Sequence, residues 1–330
     1  MTTSSPAPAA TRPAAAPGRP RRLRGLAWLL ARQHRTALVL CVAVTVLASA
    51  WMLYRRAVML DVLDAAHWPA LPGDTIDPVV RKRNAEELNS FGNALGFLPL
   101  LFGVFLGAPL ISTDREQGTA RLVTTQSVTR GRWLRWKLCF ALALTALTTG
   151  ILSLLYGWWW RSAGPLAAFD WLNGGLFGSS GPVLVATALF TTSLGIAIGA
   201  LLRRAVPAMT LTFVVSGVAL FAGDVLKDGL ATPRRIVTPL GGPPPQRMWE
   251  YVQVDQWVGT ASGRLYGWST CVHDAAPDSC RAARGIVNTV WEYFGDDQMA
   301  GMQWTAAGIL LGLAAVLVGV FLGWTRKGAL

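Results

Sequence analysis

The chain has 330 residues, of which 52% are hydrophobic and 15% charged, and its formal net charge is +12. A soluble protein of this size carries about a quarter charged residues, so this composition excludes an ordinary soluble fold. A basic excess is compatible with nucleic-acid binding or with membrane topology, and its distribution along the chain decides between them.

The N-terminal 36 residues divide into two parts. Residues 1–20 are rich in Ala, Pro and Thr and predict a disordered tail. In residues 21–36, Leu23, Leu26 and Leu30 share one helical face, and arginines fall largely on the other. This pattern predicts an amphipathic helix lying in the inner membrane interface. A simple basic flank of the first membrane span is the alternative.

Six stretches of 18 to 23 residues contain no charged side chain except Asp224, which is close to an end. A helix needs about 20 apolar residues to cross the core of a bilayer. The sequence therefore predicts an all-α, polytopic membrane protein with six transmembrane helices, five within residues 37–225 and the sixth, with a short tail, in 304–330. The six stretches are 37–54, 91–111, 138–160, 182–202, 205–225 and 304–324.

Basic residues concentrate in alternate loops. Residues 1–36 carry seven Arg and no acid, and residues 112–137 carry six basic residues against two acids. Positive charge that flanks membrane spans stays in the cytoplasm. We therefore expect both termini and the 112–137 loop to be cytoplasmic, in a multi-pass protein of the plasma membrane. The basic excess then contacts lipid headgroups, and no nucleic-acid partner is predicted.

The longest loop, residues 226–303, is rich in Trp and Tyr and is predicted to form an extracytoplasmic cap on the outer leaflet. Within it, Ile286, Val290 and Phe294 recur at four-residue spacing, which predicts a short amphipathic helix.

Two cysteines of the same loop, Cys271 and Cys280, can form a disulfide in an oxidising compartment. His273 lies between them, but neither a second His nor a paired cysteine motif accompanies it. No metal site is predicted.

Glycines recur at four-residue steps within the predicted spans. Such pairs let helix backbones approach closely, either within one chain or between two copies, so they predict packing and not activity. The pairs are Gly92/Gly96, Gly103/Gly107, Gly195/Gly199, Gly308/Gly312 and Gly319/Gly323.

Several kinds of chemistry are absent from the sequence. It contains no G-x-x-x-x-G-K-[ST] phosphate loop, no HExxH and no GxSxG. The predicted spans hold no acid near the bilayer midplane, where ion-coupled carriers usually keep one. The chain is therefore not an obvious enzyme, and the energy for any transport must come from another chain.

The segment between the second and third predicted spans is compact and cationic. Its "TDRE", from Thr113 to Glu116, fits a capping box, which predicts the start of a helix over residues 112–126 along the cytoplasmic surface. A short helix attached to two spans would let a partner that binds it rotate both.

Residues 107–138 resemble the signature between the second and third spans of ABC-2 type permeases, the membrane subunits of ATP-binding-cassette exporters. That signature has a Glu, then Gly-Thr, then a turn with Pro or Ser and Arg, then a Lys that opens the next span. The polar run at 112–114 and the length of the 226–303 loop depart from the family. The matching positions are Glu116, Gly118, Thr119, Ser127, Arg130 and Lys137.

The resemblance implies a mechanism. Two identical or related permeases would form the pathway, and two ATPase subunits would dock from the cytoplasm, with ATP and Mg bound by those partners and no cofactor bound by this chain. The 112–126 helix would sit in a groove of the ATPase. Arg115 and Glu116 would supply polar contacts there, and Gly118 and Thr119 would permit close approach. Arg130 and Lys137 complete the expected coupling residues.

The family likeness implies export, and the uncharged spans favour a hydrophobic or amphipathic substrate. Two other functions remain open. An ion-coupled carrier or membrane enzyme would need a midplane acid or a metal cluster, and the sequence shows neither. A non-transporting scaffold or immunity-type protein would act through the large outer loop.

Overall fold

The computed structural model describes residues 26–71, 76–117, 129–167, 170–245 and 251–326. Six of its helices are long and apolar enough to cross a membrane, which confirms the predicted number. Spans 1 to 6 are Arg35–Ala65, Pro78–Glu116, Gly131–Leu166, Gly181–Leu201, Ala205–Leu230 and Asp296–Thr325.

Spans 1 and 2 are longer than the uncharged stretches that predicted them, and the extra residues lie at the predicted outer ends. Arg55 of span 1 forms an ion pair with Glu87 of span 2. Arg56 lies over the ring of Trp158 in span 3, 3.8 Å from its centroid. Because these charged side chains have partners on neighbouring helices, the helices run on through them and do not end there. The loop predicted at 55–90 is accordingly much shorter.

Span 2 is built from four consecutive helical pieces. Asp77 caps its start by accepting a hydrogen bond from the Val79 amide at 2.7 Å. A π-helical turn lies in the middle, and each α-helical piece that flanks it has a proline in its first two positions. The pieces are Pro78–Gly96, Leu98–Leu101, the π-helix Phe102–Gly107 and Pro109–Glu116.

The predicted helix start at Thr113 is wrong. Thr113 lies inside the last piece of span 2, and its carbonyl accepts a hydrogen bond from the Gln117 amide at 3.0 Å. The first residues of the predicted 112–126 helix therefore belong to span 2. Residues 118–128 lie outside the described part of the chain.

A short helix, Leu26–Gln33, precedes span 1 and is separated from it by a turn at His34. It falls within the range where the sequence predicted an amphipathic helix, and we call it the interfacial helix. Its Leu30 is buried, while Trp28 is exposed with Arg32 above its ring at 5.3 Å. The predicted disordered tail at 1–20 lies outside the described residues.

Spans 2 and 4 form the centre of the bundle, whereas spans 1, 5 and 6 are the least buried. The interfacial helix, Glu116 and the turn at 202–204 lie together at one end, here called the inner end. This grouping fits the charge pattern, and the assignment of that end to the cytoplasm stays a prediction. Shorter helical segments are Gly164–Leu166, Leu176–Ser179, Lys227–Leu230 and Pro277–Ala283.

At the outer end the chain forms a four-stranded antiparallel sheet that the sequence did not predict. Its strands are β1 (Arg234–Pro239), β2 (Val252–Thr260), β3 (Leu265–Gly267) and β4 (Ile286–Phe294), in the order β1-β4-β2-β3.

The amphipathic helix predicted over Ile286, Val290 and Phe294 is wrong, because these residues form β4. A spacing of four is also a multiple of two, so all three side chains share one face of a strand. All three are buried. The β-branched and aromatic residues of "IVNTVWEYF" favour a strand and should have decided the assignment.

The sheet is anchored on the membrane bundle. Val252 and Phe294 belong to the same buried cluster as Trp171 and Met302. Arg234 donates two hydrogen bonds to the carboxylate of Asp297, at 3.0 and 2.6 Å, which joins β1 to the start of span 6. The sheet and the outer ends of the spans therefore share one core.

Candidate functional site

The inner end of span 2 carries three consecutive charged residues, Asp114, Arg115 and Glu116, here called the DRE triplet. They are the last three residues of span 2. Each member contacts a different neighbouring span.

Asp114 forms an ion pair with Lys137, near the start of span 3. Only 1% of the Lys137 side chain and 7% of the Asp114 side chain are exposed. The Lys137 ammonium also donates to the Leu110 carbonyl at 3.0 Å and lies 4.4 Å from the centroid of the Trp133 ring. A buried charge is costly to leave without a partner, so this pair holds spans 2 and 3 together.

Asp114 also reaches the interfacial helix. The Gln33 amide donates to the second carboxylate oxygen of Asp114 at 3.2 Å. Next to it, the His34 ring stacks on Phe140 of span 3 with 5.7 Å between centroids. The interfacial helix is thus attached to spans 2 and 3 by polar and aromatic contacts.

Burial, and to a smaller extent the positive charge of Lys137, lower the pKa of His34 below its ordinary value, while Asp114 partly offsets this effect. The Nε2 atom of His34 is buried without a hydrogen-bond partner. Both observations fit a neutral imidazole at the base of the interfacial helix.

Arg115 and Glu116 contact the two helix ends that meet at the turn between spans 4 and 5. The Arg115 guanidinium donates to the Ala200 carbonyl at the end of span 4. The Glu116 carboxylate accepts from the Ala205 amide, the first of span 5, at 2.9 Å. A cation at a helix C-terminus and an anion at a helix N-terminus both complement the helix dipole. These two side chains therefore hold spans 4 and 5 against span 2.

The glycines of spans 2 and 4 support the same arrangement. A Cβ added at Gly103 would lie 2.8 Å from the Thr191 carbonyl oxygen, and one at Gly107 would lie 2.6 Å from that of Thr192. On span 4, Gly195 and Gly199 face the backbone of Gly103 and Ala108 in the same way. Backbone contacts this close leave little freedom for the two helices to slide.

The other predicted glycines differ from one another. A Cβ at Gly92 would overlap Tyr156, whereas one at Gly96 would make only an ordinary contact with Ser179 at 3.7 Å. At the four predicted glycines of span 6, an added Cβ would have no described atom outside the backbone of its own helix within 4 Å: Gly308, Gly312, Gly319 and Gly323. Among the described residues, these four glycines show no close contact of the kind made by Gly103 and Gly107.

The sequence-predicted coupling residues are only partly brought together. Arg115, Glu116 and Lys137 lie at the inner end and contact their own chain, as described. Gly118 and Thr119, with the side chain of Arg130, fall outside the described part of the structure.

Sequence reasoning missed Asp114 and Gln33. Asp114 stood in the polar run that departs from the family pattern, and Lys137 at the start of an apolar span required an anionic partner. That requirement was the signal that could have paired the two.

At the outer end, Cys271 and Cys280 form a disulfide with 5.7 Å between their Cα atoms. The Asp274 carboxylate lies within 4.8 Å of both sulfur atoms. Because a metal is bound by thiolates, the disulfide leaves these sulfurs unavailable as ligands.

A bundle of six membrane helices, with polar contacts at one end that join four of them, defines an integral membrane protein of multi-pass type. A family model described as "ABC-2 membrane transporter related" matches residues 42–226, from span 1 to span 5, and the chain belongs to this family. It is thus an ABC-2 type permease. Curated proteins and solved structures show no match to this chain.

Proposed function

We propose that this chain is the membrane-spanning subunit of an ABC exporter and that a separate nucleotide-binding subunit hydrolyses ATP for it. The observation that carries the proposal is the DRE triplet, which ties spans 3, 4 and 5 to the inner end of span 2. Family membership supports the association with an ATPase, and the sequence itself has no phosphate loop. ATP and Mg would be bound by the partner. The complex would contain two permeases and lie in the plasma membrane.

In this proposal the segment after the triplet is the docking site for the ATPase. Gly118 and Thr119 allow close approach, and Arg130 adds a polar contact. Arg115, Glu116 and Lys137 have a different task from the one the family likeness implied, because their side chains contact their own chain. When the docking segment moves, the contacts of these three side chains move spans 3, 4 and 5 with it.

The substrate is proposed to be hydrophobic or amphipathic. The described parts of the spans bury hydroxyl groups from Ser and Thr, and most of these hydroxyls bond to backbone carbonyls within the bundle. Spans without buried free charges favour a substrate that itself carries no exposed charge. Export, as the direction, follows the family likeness.

The proposal is tested by purifying the chain from its native membranes in mild detergent. We expect an ATPase subunit to accompany it and the complex to hydrolyse ATP faster when substrate-containing membrane extract is added. Glu116→Ala and Gly118→Leu should each abolish the stimulated rate while membrane insertion persists.

Glu86→Ala, at an exposed acid of the opposite end of span 2, is the matched control and should keep the stimulated rate. Normal stimulation in both test variants would show that the coupling residues are assigned wrongly.

A scaffold function through the outer sheet is the second candidate. The sheet spans residues 234–294, outside the family match, and β1 and β3 each have one edge unpaired among the described strands. Such edges can add a strand from a partner. A partner captured on the sheet, with no ATPase at the inner end, would favour this function.

A further inference from the structure

A cavity of about 290 Å³ lies at the inner end, between the interfacial helix, span 2 and span 3. Gln33 and Ala37 line one side, and span 2 lines the other from Phe105 to Gln117. Ligand sites in proteins start at about this volume.

The lining of the cavity changes from apolar to polar along span 2. Phe105 and Leu106 line the end towards the middle of the membrane, and Thr113 and Gln117 line the end towards the inner surface. Phe105 is 63% exposed, so the apolar end opens sideways towards lipid, and Gln117 is exposed at the polar end. An amphiphile of the inner leaflet has the same order, with its chain towards the membrane interior and its headgroup towards water.

The polar end of the cavity has no net formal charge. Its charged lining residues are Asp114 and Lys137, which form an ion pair, and the Lys137 ammonium is already bonded to Asp114 and the Leu110 carbonyl. Gln33 and Gln117 are neutral hydrogen-bonding groups. Because each charge is neutralised by the other, the pair gives little net attraction to an anionic or to a cationic headgroup.

We propose that this cavity binds a single membrane amphiphile with an uncharged or zwitterionic headgroup, which enters from the inner leaflet between span 1 and span 2. The headgroup bonds to the amides of Gln33 and Gln117, and the first part of the chain packs on Phe105 and Leu106. Binding here needs no ATP hydrolysis. The site and the proposed transport function can therefore fail separately.

The test uses the purified full chain in mild detergent and native mass spectrometry. Dioleoylphosphatidylethanolamine, which is zwitterionic, and dioleoylphosphatidylglycerol, which is anionic, are added at equal concentrations. We expect one bound molecule, with the zwitterionic lipid preferred. Ala37→Phe, which fills the cavity from span 1, should reduce binding by roughly tenfold or more.

Ala50→Phe is the matched control, because Ala50 lies on the same helix but faces outward. It should bind as the wild type does. Undiminished binding to folded Ala37→Phe, or a preference for the anionic lipid, would overturn the proposal.

A second variant keeps the proposal testable if Ala37→Phe does not fold. Gln117→Lys adds a cation at the exposed mouth of the cavity and should shift the preference towards phosphatidylglycerol. An unchanged lipid preference in this variant would place the bound lipid elsewhere and overturn the proposal.

Discussion

At the scale of single residues, the buried pair of Asp114 and Lys137 decides how the inner end is held. Asp114→Asn keeps the shape but leaves the Lys137 charge buried without its counter-ion. We expect the free energy of unfolding to fall by about 3 kcal/mol or more, measured by denaturation in detergent.

The double variant Asp114→Asn/Lys137→Met removes the uncompensated charge and should recover most of that loss. Asp224→Asn is the control, because the Asp224 side chain is 70% exposed and should contribute little. Equal stability of Asp114→Asn and the wild type would mean that the pair does not hold spans 2 and 3.

His34 gives the inner end a pH dependence of known sign. Its pKa in the folded protein is lowered from 6.5, chiefly by burial. The unfolded chain therefore binds a proton that the folded chain does not, and stability is lost as the pH falls through about 6.5.

Thermal unfolding at a series of pH values tests this expectation. The wild type should lose stability on acidification, and His34→Gln should lose less over the same range, with His67 and His273 unchanged in both proteins. The same pH dependence in both proteins would remove His34 as its source.

At the scale of elements, the close packing of span 2 on span 4 depends on glycine. Gly107→Leu would force a side chain towards the Thr192 carbonyl, which an added Cβ approaches to 2.6 Å. Overpacking of this kind costs about 1–3 kcal/mol. We expect a lower melting temperature and a lower yield of folded monomer.

Gly312→Leu is the matched comparison on span 6, where an added Cβ meets no described atom outside its own helix backbone within 4 Å. It should leave the stability of the monomer unchanged. If Gly107→Leu proved as stable as Gly312→Leu, the spans 2 and 4 would not be in the close contact described.

The elements also show where sequence reasoning succeeds. Six apolar stretches, whose one charged residue is Asp224, predicted the number of spans correctly, because a bilayer excludes charged side chains that lack partners. The same rule misplaced the ends of spans 1 and 2, since Arg55, Glu87 and Asp114 do have partners on other helices. Ion pairs between residues far apart in the sequence cannot be read from the charge pattern of a single stretch.

The outer sheet and the inner contacts were missed for related reasons. A four-residue spacing fits one face of a strand as well as one face of a helix, so β4 needed its residue types to be identified. The contacts of Arg115 and Glu116 with the span 4–5 turn join residues more than 80 positions apart. The family likeness placed these residues at the inner end but assigned their contacts to a partner.

At the scale of the whole molecule, the contacts that hold the spans together lie at the two ends of the bundle. Spans 2 and 4 form the centre, and spans 1, 5 and 6 leave most of their surface exposed within this chain. The DRE triplet links the centre to spans 3 and 5 at one end, and the Arg234–Asp297 pair links the outer sheet to span 6 at the other. A partner that displaced the segment after Glu116 would therefore move several spans together.

The central claim, that a separate ATPase acts on this inner segment, is tested most directly by photo-crosslinking in intact native membranes. A photoreactive amino acid is placed at position 121, in the segment between spans 2 and 3, or at exposed Trp268 in the outer loop. The account predicts a crosslink from position 121 to a chain that carries an ATP-binding phosphate loop, and none to that chain from position 268. A partner captured only from position 268 would contradict it.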